Sequence, residues 1–201
     1  MATTRRPLFA VRRPSGQLRI IGGRWRSRRL LVPQVEGLRP TPDRVRQTLF
    51  DWLAPRVCGA CALDLFAGSG ALGLEALSRD AAVVRFVEQS PVALAAIRDS
   101  VATLGAVERS RVEQAEALSW LGATAARPNR DDEKFELVFL DPPYASGLLE
   151  PCLNLLPPLL SANARIYVEW PLGQTPKLPP GYAWIREKSA GRVSYGLLIY
   201  R

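Results

Sequence analysis

From Cys61 to Glu169 the chain repeats one rhythm: a short apolar strand, a turn, then a stretch with helical periodicity. Strands are expected at 61–66, 82–88, 109–114, 135–140 and 164–169, and helices at 70–79, 91–104, 115–122 and 147–156. Ser90-Pro91 marks one helix start, a capping hydroxyl followed by a proline whose missing N–H costs nothing there. Successive strands joined through helices must lie parallel, and their right-handed crossovers put helices on both faces of one sheet. Two more strands, 182–188 and 192–200, flank "SAG", the spacing of a hairpin. The expected fold is therefore α/β, a doubly wound and mostly parallel sheet of about seven strands with an antiparallel C-terminal edge. At 201 residues one domain with its own core suffices.

Composition narrows the function. Hydrophobic residues make up 47% and charged residues 23%, as in soluble globular chains. No apolar run nears the ~18 residues of a membrane helix. "MATTRRPLFAVRRP" has no apolar core of the kind a secretory signal needs. Three cysteines make no disulfide framework, and a reducing cytoplasm is expected. There is no histidine, which removes the commonest general base and metal ligand. Cys58 and Cys61 form C-x-x-C but lead into a strand and lack further ligands, so no metal is expected.

Charge is uneven. Residues 1–56 carry 13 arginines, no lysine and three acids, a net +10, while residues 57–201 carry a net −2. A cationic arm on a neutral body is a nucleic-acid footprint, and arginine forks suit phosphate. Within it, residues 17–33 read as two short strands around Gly22-Gly23. Arg19, Arg24, Arg26, Arg28 and Arg29 stud this ribbon, with Trp25 placed to stack on an unpaired base. Residues 39–53 read as a helix with Thr41 as cap, Pro42 at its first position and Asp43 at its positive end. Val45, Thr48, Leu49, Trp52 and Leu53 form its buried stripe. Arg39, Arg44 and Arg46 lie off that stripe and extend the basic surface. Three parts are expected: a basic tail at 1–16 without order, an RNA-binding extension at 17–56 and a catalytic domain at 57–201.

"LDLFAGSGALGLEAL" (63–77) puts a glycine turn between the first sheet strand and its helix. Gly68, Gly70 and Gly73 match G-x-G-x-x-G, a weak signal by itself. Glu88, 18 residues past Gly70, can accept both hydroxyls of an adenosine ribose. Asp64 discriminates between cofactors. A carboxylate there would repel a dinucleotide pyrophosphate and attract the ammonium and sulfonium of S-adenosylmethionine. Phe66, Ala67 and Ser69 complete the turn, and Glu116-Ala117 falls where an adenine amino group is expected. The alternative task for Asp64 is to cap the glycine-turn amides, and the two roles can coexist.

"FLDPPYASG" (139–147) follows the fourth of these strands. Asp141 and the carbonyls of Pro142 and Pro143 offer acceptors and no donors. Such a pocket suits an exocyclic amino group, whose two hydrogens it can grip while the nitrogen meets a methyl group. Asp141 is expected to orient that amine as an ordinary carboxylate, pKa near ~4. Tyr144 offers a flat face to the base, worth roughly 1–3 kcal/mol.

DPPY after DLFAGSG resembles the amino methyltransferases of Rossmann-like fold. "RIIGG", "LRPTPDRVRQTLFDWL", "LDLFAGSGALGLEALSR", "VFLDPPY" and "GRVSYGLLIY" together resemble the RsmD-type 16S ribosomal RNA guanine-N2 methyltransferases over residues 18–201. The resemblance implies N2-methylation of one guanine in 16S rRNA on an assembled or late-assembly small subunit; separately, a monomer is expected. It places Asp64, Gly68, Ser69, Gly70, Glu88 and Glu116 at the donor and Asp141 to Tyr144 at the base. Asp or Asn is commoner than Glu at the adenine position. A DNA adenine-N6 methyltransferase shares DPPY but needs a recognition domain for which this length has no room. A dehydrogenase leaves DPPY without a task, and a non-catalytic RNA binder leaves Asp64 and Asp141 unexplained.

Overall fold

The computed structural model of the chain describes residues 16–32, 41–127 and 134–201. Two strands, β1 (Gly16–Arg19) and β2 (Arg29–Val32), pair antiparallel as the expected ribbon. After α1 (Asp43–Val57) come β3 (Cys61–Asp64), α2 (Ala71–Ser78), β4 (Val83–Glu88), α3 (Pro91–Thr103), β5 (Ser110–Gln114) and α4 (Ala117–Ala125). Then follow β6 (Phe135–Leu140), α5 (Leu149–Leu155), β7 (Leu160–Pro171), β8 (Tyr182–Ala190) and β9 (Val193–Tyr200). The sheet order is β5-β4-β3-β6-β7-β9-β8, with the first five strands parallel and β9 and β8 antiparallel.

One apolar layer joins the ribbon, α1 and α2 to one face of the sheet; α4 and α5 cover the other. Aromatic rings tie α1 down: Phe50 meets Phe139 at 5.9 Å and Trp52 meets Tyr195 at 5.6 Å. This seating brings the start of α1 to the carboxyl ends of β6 and β7. β7 is longer than the expected 164–169, because Leu160 already pairs with Phe135 across a bulge.

Three expectations need correction. Gly22-Gly23 is not the hairpin tip. The chain turns at 24–27, and the glycines instead press on the C-terminal end of α2. Gly23 has φ +73°, and a Cβ there would sit 1.9 Å from the Ser78 carbonyl oxygen. Thr41 does not cap α1; the cap position is Pro42, with no side-chain bond, and Thr41 is buried. Arg46 is not a surface residue. It is 1% exposed, and its guanidinium donates to the carbonyls of Thr41 (3.2 Å) and Arg19 (2.8 Å) and to Asp43 (2.6 Å) and Glu75 (3.4 Å).

Ribbon, α1 and α2 thus meet at one buried acid. Glu75 also accepts from the Ile21 and Gly22 amides (2.9 and 2.8 Å) and from Arg79 (2.9 Å). The basic extension belongs to the same core as the sheet and is not a loose arm. The tail through Ser15, Arg39, and most of the charged loop expected at 124–134 lie outside the described residues.

Candidate active site

Open parallel sheets bind ligands beyond their carboxyl ends, where the strand order reverses. Here that point lies between β3 and β6. Acids stand there on neighbouring strands. Asp64 ends β3, Glu88 ends β4, Asp141 follows β6, and Glu169 lies near the end of β7. Asp64 and Tyr167 both pair with Phe139. Side chains alternate along strands, so Asp141 and Glu169, two residues past Phe139 and Tyr167, continue the face that Asp64 occupies.

Among the described residues no ion pair engages Asp64, Asp141 or Glu169. Their proton affinities rise accordingly. Burial pushes Asp64 up to about 7; the Gly73 amide opposes this and Glu88 adds to it. Burial also raises Asp141 well above the carboxylate range, followed by repulsion from Glu169 and Asp64, against a bond from Thr41. The expected ordinary pKa of Asp141 is thereby corrected. Burial raises Glu169 too, opposed by the hydroxyls of Tyr167, Thr41 and Tyr144. The buried Thr41 hydroxyl lies beside both acids, with a single O–H to donate to one or the other, a placement its sequence position conceals.

The glycine turn does what its spacing implies. Gly68 and Gly70 are left-handed, φ +53° and +75°, and the Gly70 amide donates to Ala67 O at 2.6 Å. A Cβ on Gly73 would meet Phe86 at 2.2 Å, so glycine lets α2 lie against β4. Asp64 accepts from the Gly73 amide at 2.9 Å, a remote cap on α2. Glu88 accepts from the Gly68 and Ser90 amides at 2.8 and 2.7 Å, bracing the turn from β4. Ala67 and Ser69 are buried and Phe66 is half-buried. Glu116 caps α4 through the Leu118 and Ser119 amides (3.0 and 2.7 Å), and these bonds lower its pKa. That cap commits both of its oxygens; Ala117 behind it is buried.

Beyond β6, Pro142 is buried while Pro143 and Tyr144 are exposed. Pro143 O accepts from the Ser146 amide at 2.8 Å, so of the two carbonyls expected to face a ligand this one is engaged by a turn. Pro142, Pro143, Tyr144, Glu169, Trp170 and Pro171 line a cleft of about 150 Å³. Glu169 takes a 2.7 Å bond from the Tyr167 hydroxyl and a 3.5 Å contact from that of Tyr144. Sequence reading misses Glu169, although it stands just past the last parallel pair of β7, near the strand end as Asp64 is on β3.

Of the expected RNA contacts, Arg19, Arg24, Arg26, Arg28, Arg29 and Arg44 are exposed. Arg19 also pairs with Asp43 at 3.0 Å. Trp25 is corrected: it is 9% exposed, packed in the core under Arg109 at 5.5 Å, and cannot stack on a base.

Asp64 yields a pH test. Its raised folded pKa means that below about 7 the carboxyl holds a proton, which must leave before the group can pair with a ligand ammonium. Affinity for a cationic donor is expected to rise about tenfold per pH unit up to that value and to level off above it. Asp64→Asn should flatten the profile and weaken binding. Calorimetry in buffers of different ionisation enthalpy reads both affinity and proton release.

A glycine turn at the reversal point, with buried acids beside it and a cleft of prolines, Tyr144 and Glu169 one strand away, defines a Rossmann-like methyltransferase. The family described as Conserved hypothetical protein 95 matches residues 18–199, and the chain belongs to it. The chain is 47% identical over 186 residues to the ribosomal RNA small subunit methyltransferase D of Escherichia coli K12, covering 91% of this chain and 90% of that protein. It is 41% identical over 184 residues to the protein of the same name in Haemophilus influenzae, covering 90% and 93%. The solved structure of the Escherichia coli protein yhhF superposes with TM-score 0.79 at 47% identity, covering 91% and 97% of the two chains. A ribosomal protein L11 methylase from Lactobacillus delbrueckii, 18% identical, shares the fold at TM-score 0.61, covering 80% and 81%.

Proposed function

We propose that this chain methylates the exocyclic N2 of a guanine in 16S ribosomal RNA, within the small subunit or a late assembly particle, using S-adenosylmethionine. The observation that carries the reading is the juxtaposition of Asp64 at the glycine turn with Asp141 and Pro142 beyond the next strand. Names of relatives such as ribosomal RNA small subunit methyltransferase D supply the substrate class.

The residues fit the donor. The left-handed turn at Gly68 and Gly70 keeps bulk away, Asp64 is a buried acid with no cation among the described residues, and Glu88 can exchange a backbone amide for a ribose hydroxyl. When bound, S-adenosylmethionine supplies an electrophilic methyl on a cationic sulfur. The chain does the rest. Tyr144 carries the base, and Asp141 with the Pro142 carbonyl takes the amino hydrogens and aims the nitrogen. Once methylated, the nitrogen sheds a proton, which Asp141 can accept. Burial and the neighbouring Glu169 raise the affinity of Asp141 for that proton.

The test is radiolabelled methyl transfer to small-subunit particles, free 16S rRNA and duplex DNA, followed by nucleoside digestion. Label in N2-methylguanosine from particles is expected; label on adenine or in DNA would overturn the reading. The basic surface has its own test. Replacing Arg24, Arg26 and Arg28 by Ala should leave donor binding unchanged. RNA affinity should fall, and its salt slope should drop by roughly 0.7–0.9 for each phosphate no longer neutralised. An unaltered slope would move the RNA elsewhere on the protein.

A further inference from the structure

We infer that Glu169 reads the N1–H of the target guanine and so sets which base the cleft accepts. The inference rests on the guanine-N2 reading above. Asp141 and Glu169 each follow a register-paired residue, Leu140 and Val168, by one position. Adjacent strands lie about 4.8 Å apart, so the two carboxyls leave neighbouring strands close enough to repel each other, Glu169 in the cleft wall and Asp141 beside it. Glu169 is 4% exposed and lines that cleft with Pro142, Pro143, Tyr144 and Trp170. Its Oε1 is held by the Tyr167 hydroxyl at 2.7 Å, while Oε2 meets the Tyr144 hydroxyl only at 3.5 Å. A buried acid without a cation is costly, and one fixed at Oε1 by Tyr167, with the Tyr144 and Thr41 hydroxyls as its other neighbours, has acceptor capacity left for a ligand donor.

Base chemistry selects the ligand. Guanine presents two adjacent donors on its Watson–Crick edge, N1–H and the N2 amino group. Adenine and cytosine present an amino group beside a ring nitrogen with a lone pair, and uracil has no amino group. With Asp141 and Pro142 on the amino hydrogens, a neighbouring acceptor takes N1–H from guanine and meets a repelling lone pair in adenine. Asp141 alone would accept any exocyclic amine; Glu169 makes the pair specific. Tyr167 holds Glu169 through its hydroxyl.

The experiment uses small-subunit particles reconstituted with either guanine or 2-aminopurine at the methylated nucleotide. 2-Aminopurine keeps the N2 amino group but has a lone pair at N1. The wild-type protein is expected to favour guanine in kcat/KM by about tenfold to hundredfold, the range for one hydrogen bond to a charged group. In Glu169→Gln, whose side-chain amide can donate to that lone pair, the preference should fall at least tenfold, with S-adenosylmethionine affinity kept as the check on folding. Tyr167→Phe, which frees Glu169 without removing it, should lower the same ratio partway. Equal use of the two bases by the wild type, or an unchanged ratio in Glu169→Gln, overturns the inference while leaving guanine methylation standing. Absence of wild-type methylation on guanine particles is a different result, the failure of the functional reading itself, and the inference falls with it.

Discussion

Asp141→Ala is expected to slow single-turnover methylation by about a hundredfold or more while S-adenosylmethionine affinity stays near wild type. The geometry separates the two effects. Asp141 lies beyond β6 at the approach to the cleft, whereas the residues proposed to hold the donor sit on β3, the glycine turn and β4. Removing the group that aims the amine costs alignment, and misplacement by an ångström can cost about 10² in rate. Asp141→Asn keeps the shape and one acceptor, and should retain more activity than Ala. The raised pKa of Asp141 adds a second readout. Because the folded pKa lies above the usual carboxylate range, the group is protonated at acid pH and becomes a full acceptor as pH rises. At saturating donor, where the Asp64 titration does not enter, the wild-type rate should therefore climb with pH, and the Asn variant should show a shallower climb that leaves the Glu169 contribution. Tyr144→Phe keeps the stacking face and should be mild, and Tyr144→Ala severe. If Asn is as inactive as Ala, proton acceptance and not orientation is the task of Asp141. If Phe is as inactive as Ala, the Tyr144 contact with Glu169 matters beyond stacking.

What is legible in the sequence follows from where local chemistry dominates. Phe135–Leu140 matches its expected bounds because a charged loop precedes it and prolines follow. The glycine turn is legible because only glycine tolerates its left-handed steps and the close approach of Phe86. Residues that answer to two distant elements mislead. Thr41-Pro42-Asp43 has the composition of a helix cap, and nothing local says that the hydroxyl faces Asp141 and Glu169, 100 or more residues away. On α1 the expected stripe is Val45, Thr48, Leu49, Trp52 and Leu53. The buried residues are Val45, Arg46, Leu49, Phe50, Leu53 and Val57, because the ribbon and α2 cover a second side of the helix. Trp25 stands among arginines and reads as an RNA-facing ring, yet the ribbon turns it inward. Glu169 obeys the rule applied to Asp64 and Asp141, that an acid closing a parallel strand faces the ligand crevice, and the same rule would find it.

The second large effect is expected at Arg46, where structure and sequence reading give opposite outcomes. A surface arginine replaced by Ala would weaken RNA affinity and leave stability within about ±0.5 kcal/mol. Arg46 is 1% exposed and holds two carbonyls and two acids from the ribbon, α1 and α2. Arg46→Ala leaves Glu75, itself 0% exposed, with Arg79 as its remaining cation, and strips the Thr41 and Arg19 carbonyls of a donor. Breaking a buried pair from one side costs about 3–5 kcal/mol. For a chain of this size that corresponds to a fall in Tm of roughly 10 °C. The damage should also reach the cleft, since Arg46 fixes the Thr41 backbone and the Thr41 hydroxyl lies beside Asp141 and Glu169. Arg46→Ala should then lower kcat at temperatures where the protein remains folded, with donor affinity little changed. The Arg24, Arg26 and Arg28 variants should do the reverse, sparing Tm and kcat and weakening RNA binding. Thermal denaturation and single-turnover rates on the same preparations distinguish these outcomes. An Arg46→Ala protein with wild-type Tm and reduced RNA affinity would return Arg46 to the RNA surface and remove it from the scaffold that carries Thr41.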